Sequence, residues 1–449
     1  MLSVDSPRNA ADRFHRQLII FSDNILIRHR TSEIHPVLRP AGDDGGPPVE
    51  VIGNILSRLG AARDVVIAAA TCRKWREACR NHLHTLRFSS DDWPMYRDLT
   101  SSRLEILITQ AIFQTTGLQC LSISMDEVVT FSPAPVIAWL LYTRETLRSL
   151  SYTVRTSPSF SILERCGRQK LEALFLAHNA VMAVEPSYQR FPSLKSISFS
   201  SVSISALDLS LLLSACPKLE SLALISPEIA PDSLAAMELS SPTLKSIYVE
   251  AVSLDRFLLE ADCLELLHLK DSTLELFEFA GKGTLKQLKI DDLSVMHLDI
   301  GDNVERLEVV DVSNFTMVWP KFYQMICKSS GLRKLRLWGI IFDDEDDAPE
   351  ELSLSFDLRE GLLQEGLQGA TQLGSLAVLE LGWNVITDQF GQWVAGMLGR
   401  CPELKKLVVH GVVSEAKTHE ECQTLADFTS FMVSLMRKYM HIDVRFEYE

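Results

Sequence analysis

The sequence predicts an α/β chain: a small all-helical module, then a solenoid with parallel strands on its concave side and helices or second strands on its convex side, then a C-terminal capping helix. Three patterns predict it. Apolar residues fall at helical spacing between Pro48 and Gly60, and a second apolar helical stripe follows. A hexapeptide of the form Leu-x-x-Leu-x-Leu recurs from Leu83 to Leu404. After the last hexapeptide, Leu425, Phe428, Phe431, Met432, Leu435, Met436 and Tyr439 form one face of a helix.

Composition excludes several classes. A formal net charge of −15 argues against nucleic-acid binding, which needs a basic face to displace counterions from phosphate. The nine cysteines form no CxxC pair and are odd in number, so free thiols in a reducing, intracellular setting (cytoplasm, nucleus or both) fit best. The longest apolar run, Ala134 to Tyr142, is far too short to span a membrane. Gln17-Leu-Ile-Ile-Phe, soon followed by Asp23, is too short for the core of a secretion signal.

Residues 1–46 lack periodicity, run into the stretch Ala41-Gly-Asp-Asp-Gly-Gly-Pro-Pro, and read as a disordered leader. Pro48 suits a helix start. Val51, Ile52, Ile55, Leu56 and Leu59 then share one expected helical face, which Gly60 ends. Asp64 is the expected N-cap of a second helix with the stripe Val65, Ala69, Cys72, Trp75 and Cys79.

The string Pro48-x-Glu50-Val51-Ile52-x-x-Ile55-Leu56-Ser57-x-Leu59, a short turn to Asp64-Val65, and the ending Cys72-Arg73-x-Trp75 resembles an F-box. Pro47 and Thr71 stand where the family usually places Leu and Val, which trims the apolar surface. The resemblance implies docking on a Skp-type adaptor and, through it, a cullin–RING ubiquitin ligase. The expected adaptor-binding residues are Pro48, Val51, Ile52, Ile55, Leu56, Leu59, Val65, Cys72 and Trp75.

From Leu83 a different period takes over. Hexapeptides begin at Leu83, Leu118, Leu147, Leu171, Leu194, Leu219, Leu244, Leu264, Leu285, Val304, Leu332, Leu376 and Leu404. From Leu147 to Val304 the intervals are 24, 23, 25, 25, 20, 21 and 19, the period of leucine-rich repeats. Each repeat supplies a short strand, and stacked neighbours cover its apolar face. Pro135 to Leu141, Leu207 to Cys216 and Ile386 to Cys401 have helical spacing and form convex return segments. Between about 234 and 300 the motif reappears at half the interval, from Leu234, Leu254, Leu274 and Val295, which predicts strands on both sides there. The array resembles plant F-box proteins with degenerate leucine-rich repeats, the phrase Ser240-Ser-Pro-Thr-Leu-Lys-Ser-Ile being typical of that group. The expected organisation is leader 1–46, F-box 47–90, repeats 91–413 with an acidic loop at 343–351, and cap 414–449.

No catalytic signature emerges: GxSxG, HExxH, P-loop and GxGxxG are absent, and the His residues are not paired at metal spacing. No cofactor or metal is expected. Cys216-Pro and Cys401-Pro read as small buried positions that end helices. The central outward residues of the strands run Ser122, Ser151, Phe175, Ser198, Ala223, Tyr248, His268, Lys289, Glu308, Arg336, Glu380 and Val408. Aromatic and charged side chains start at Tyr248. Tyr248, His268, Lys289, Arg336 and Trp338 are therefore the candidate substrate contacts. The expected function is substrate recognition for a Skp–cullin–F-box ubiquitin ligase, with no bond chemistry in this chain and an unknown protein target. The alternative is an F-box/repeat scaffold acting without a cullin. A small-molecule receptor would need a pocket in the array, and nothing in the sequence points to one.

Overall fold

The computed structural model describes residues 47–448, apart from 57, 60, 93–94, 126–128, 164–169, 183, 185–190, 230–235, 302–303, 318, 343–371, 386–387 and 413–418. The expected leader 1–46 and acidic loop 343–351 lie outside the described residues.

The module contains three helices where two were expected: α1 (Val49–Leu56), α2 (Ala62–Thr71) and α3 (Arg73–His82). Cys72 interrupts the second stripe. Its extended backbone, with φ −157°, closes α2 and opens α3. Stripe counting misses this break because one extended residue leaves the apolar spacing nearly unchanged. Ala61, not Asp64, is the N-cap of α2; Asp64 sits in the first turn, where its charge suits the helix dipole. Gly53 lets α1 approach α3, since a Cβ there would stand 2.4 Å from the Cβ of His82.

Most strands of the array join one large parallel sheet. Its main path runs in chain order: β1 (Thr85–Ser89), β2 (Cys120–Ser124), β3 (Ser149–Tyr152), β4 (Ala173–Ala177), β5 (Ser196–Ser200), β6 (Ser221–Ile225), β7 (Ser246–Glu250), β8 (Leu266–Ala280), β9 (Gln287–Asp299), β10 (Val309–Ser313), β11 (Lys334–Trp338), β12 (Val378–Val385), β13 (Lys406–Val412) and β14 (Asp443–Tyr448). β1, which falls inside the span 47–90 expected for the module, is the first strand of this sheet.

One expected register is corrected. The motif of the tenth repeat starts at Leu307, not Val304, so the interval from Leu285 is 22 residues (307 − 285). Both frames satisfy the apolar spacing. The pairing Lys289↔Asp311 selects the second. Val304 instead closes the preceding turn by accepting the Leu307 N–H, as Phe191, Cys216, Ala261, Leu373 and Cys401 do for the leucines three residues later. Cys216 and Cys401 are thus turn-closing core positions, and burial pushes both thiols up to about 12.

The concave part of each strand from β4 to β11 ends at one residue in the left-handed region: His178, Ser201, Ser226, Ala251, Asp271, Asp292, Asn314 and Gly339, of which Asp271 and Asp292 lie within the long strands β8 and β9. Such backbone is costly for side chains other than glycine. It recurs because the corner N–H is satisfied by the next strand; His178 donates to the Ser200 carbonyl and Ala251 to that of Lys270, for example.

Beyond the corner the chain takes one of two paths. Helices return it at Pro133–Thr143, Ala206–Ser214 and Asp388–Leu398, as expected, and also at Ser101–Phe113 and Trp319–Cys327. In the centre the chain stays extended. Ala236–Ser240 pairs with Ser253–Glu260, which pairs with the second half of β8, and this in turn pairs with β9. At the C-terminal end the helix His419–Lys438 packs Phe428 against Phe390, with ring centroids 5.9 Å apart. The last strand is not a separate cap element: β14 extends the main sheet beside β13. A single hydrophobic core runs from Ile52 to Ile442, so module and repeats share an interior. Among the described residues no helix is long and apolar enough to cross a membrane.

Candidate protein-interaction surfaces

The first surface belongs to the helical module. The five apolar residues of its opening stretch divide between two faces. Ile52 and Leu56 are buried and, with Val65, hold the helices together. Val51, Ile55 and Leu59 remain 44, 45 and 40 % exposed. On α2, Val66 and Ile67 are also exposed; the sequence reading did not single them out, although the run Val65-Val66-Ile67 cannot all point inward on a helix. Pro48 and Cys72 are exposed, and Trp75 is half-buried against the core. Several branched apolar side chains are thus left uncovered on a small module, and burying one such side chain releases about 1.5–3 kcal/mol.

The second surface is the concave row. Strand pairing aligns Arg87, Ser122, Ser151, Phe175, Ser198, Ala223, Tyr248, His268, Lys289, Asp311, Arg336, Glu380, Val408 and Arg445 across the sheet. Asp311 takes the place expected for Glu308, a consequence of the corrected register. Tyr248 and His268 meet edge to face with centroids 4.8 Å apart. The Tyr248 hydroxyl donates to Glu250, and burial followed by this hydrogen bond raises its pKa. Lys270 lies 2.9 Å from Glu250 and 3.2 Å from Asp271.

Further along, Arg336 donates to both oxygens of Asp311 at 3.2 and 3.3 Å and lies 4.3 Å from the centroid of the Trp338 ring. The Trp338 ring crosses Gly382 to reach His410, 4.7 Å away between centroids. Only glycine permits this, since a Cβ at residue 382 would stand 2.3 Å from the ring. His410 in turn lies 3.2 Å from Glu447. The candidate residues therefore form two patches, Tyr248–His268–Lys289 and Arg336–Trp338. The cation of the second is already engaged within the sheet. Among the described residues Lys289 forms no ion pair.

Burial, and then the charge of Lys289, hold His268 down to about 4, below its ordinary 6.5. The ring is neutral at pH 7, and protonation favours the unfolded chain. Stability from this residue is therefore complete above about pH 6.5 and is lost as pH falls through the window toward 4, by roughly 3 kcal/mol at most. Denaturant unfolding at pH 7 and about pH 4.5 should show this loss, and His268→Gln should reduce it.

Among the described residues no cluster of three or more His, Cys, Asp or Glu could hold a metal ion. The surfaces place the chain in the class of repeat-solenoid binding proteins that carry a helical docking module. A family model described as F-box-like matches residues 48–88, and one described as FBD-associated F-box protein At5g56370, LRR repeats, matches residues 146–293. F-box/LRR-repeat protein At1g67190 of Arabidopsis thaliana is 65 % identical over 415 residues, covering 90 % of this chain and 99 % of that protein. The chain belongs to the F-box/leucine-rich-repeat family. F-box protein At1g10780 of the same plant is 25 % identical over 200 residues, 40 % of this chain and 43 % of its own length. Proteins of this family typically act as non-catalytic adaptors in substrate recognition by Skp–cullin–F-box ubiquitin ligases.

Proposed function

We propose that this chain is the substrate-recognition subunit of a Skp–cullin–F-box ubiquitin ligase. The module docks a Skp-type adaptor through Val51, Ile55, Leu59 and Ile67, with Pro48, Cys72 and Trp75 at its margins. Ile52, Leu56 and Val65 act from beneath by fixing the helices. The concave patches around Lys289 and Trp338 hold a target protein. The chain contributes proximity, keeping target lysines near a charged conjugating enzyme.

One observation carries the reading: the F-box segment leaves branched apolar side chains uncovered on one face while its opposite face is sealed into the repeat core. The test is reconstitution with purified Skp-type adaptor and cullin–RING subunits. Co-elution of all components on size exclusion is expected. A chain that binds adaptor but never recruits the cullin overturns the ligase reading.

A further inference from the structure

A groove of about 850 Å³ opens between the module and the first repeat. Its apolar lining includes Val66 and Ala69 of α2 and Phe113 at the end of the helix Ser101–Phe113. Val66 and Phe113 are exposed. Arg73, Arg76 and Arg80 of α3 line it as well, with Glu77 the one carboxylate among its lining residues. Their spacing of three and then four residues sets the arginines along one face of α3, over a rise of about 10 Å. Among the described residues Arg73 and Arg80 form no ion pair. Such a basic strip stands out in a chain of net charge −15. The walls are fixed to each other, because Thr116 donates from both its N–H and its hydroxyl to the Arg80 carbonyl, at 3.2 and 2.9 Å. None of Val51, Ile55 and Leu59 lines the groove.

From this geometry we infer that the groove is a second docking site, taking an acidic amphipathic helix from a protein other than the adaptor. Charge complementarity defines the occupant: carboxylates three or four and then seven residues apart match the guanidinium row, and an apolar stripe beside them covers Val66 and Phe113. The inference stands apart from the adaptor reading, since it rests on different residues.

The test uses the full chain and a fluorescein-labelled helical peptide of about 15 residues with Glu at those positions and Leu on the adjacent stripe. A scrambled peptide of the same composition serves as control. Saturable binding in fluorescence anisotropy is expected, weakening with added salt. Arg73→Glu plus Arg80→Glu should weaken it about tenfold or more, and Val66→Asp should weaken it as well. The arginines are exposed, so the double variant keeps the fold, which circular dichroism verifies. Equal binding of the scrambled peptide, no effect of the arginine reversal, or displacement of the peptide by excess Skp-type adaptor would each overturn the proposal.

Discussion

Replacing Ile55 and Leu59 with aspartate is expected to abolish capture of a Skp-type adaptor while leaving the fold intact. Each side chain is a little under half exposed, so covering what remains contributes about 1 kcal/mol per residue. The larger effect is the carboxylate. Burying a charge against an apolar partner without a counterion adds several kcal/mol at each position. Together the two changes should weaken binding by about a hundredfold or more. Neither residue belongs to the buried core, so thermal stability should stay close to that of the parent. Titration calorimetry with purified adaptor measures the effect. Retained affinity would show that the exposed surface of Ile55 and Leu59 is not the dock. Ile52→Asp is the contrasting control: Ile52 is 1 % exposed, and its replacement should unfold the module before any partner is met.

Phe277→Ala is expected to have the largest effect on stability. Phe257 and Phe277 are paired in register on the convex strands, meet edge to face with centroids 5.3 Å apart, and are both fully buried. Truncating such a residue costs about 3–5 kcal/mol through lost burial and an unfilled cavity. Repeat arrays are held by neighbouring contacts, so the damage should centre on β8, β9 and the flanking strand Ser253–Glu260. Hydrogen exchange should show lost protection there first, and denaturant unfolding should report the fall in midpoint. A fall of less than about 1 kcal/mol would show that the convex strands do not support the array.

Most motifs from Leu83 to Leu404 were legible because each repeat, whatever its length, must place a leucine where its neighbours leave a gap. The half-interval recurrence at Leu254 and Leu274 likewise foretold the convex strands, since both the concave and convex strands bury alternate residues. Cys216 and Cys401 were legible as core positions for a similar reason, a small side chain repeating before a strand. Arg336, Trp338 and Lys289 could be placed on the concave face by alternation alone.

Other features were not legible. The frames starting at Val304 and Leu307 are equally apolar, and only pairing with β9 separates them. That choice brings Asp311 to Arg336 and so engages one candidate cation while leaving Lys289 free. Val51 and Ile52 look alike in a helical stripe, and packing of the module decides which of them stays exposed. The contact of Trp338 with His410 across Gly382 joins residues 72 positions apart (410 − 338).

The sequence by itself determined the class of the chain, a helical dock followed by leucine-rich repeats, because both are local patterns of apolar spacing that hold wherever the chain goes. Tertiary structure alone decided which apolar and charged side chains remain for partners. Exposure and ion pairing depend on neighbours brought together by the sheet and the shared core, and no local pattern records them.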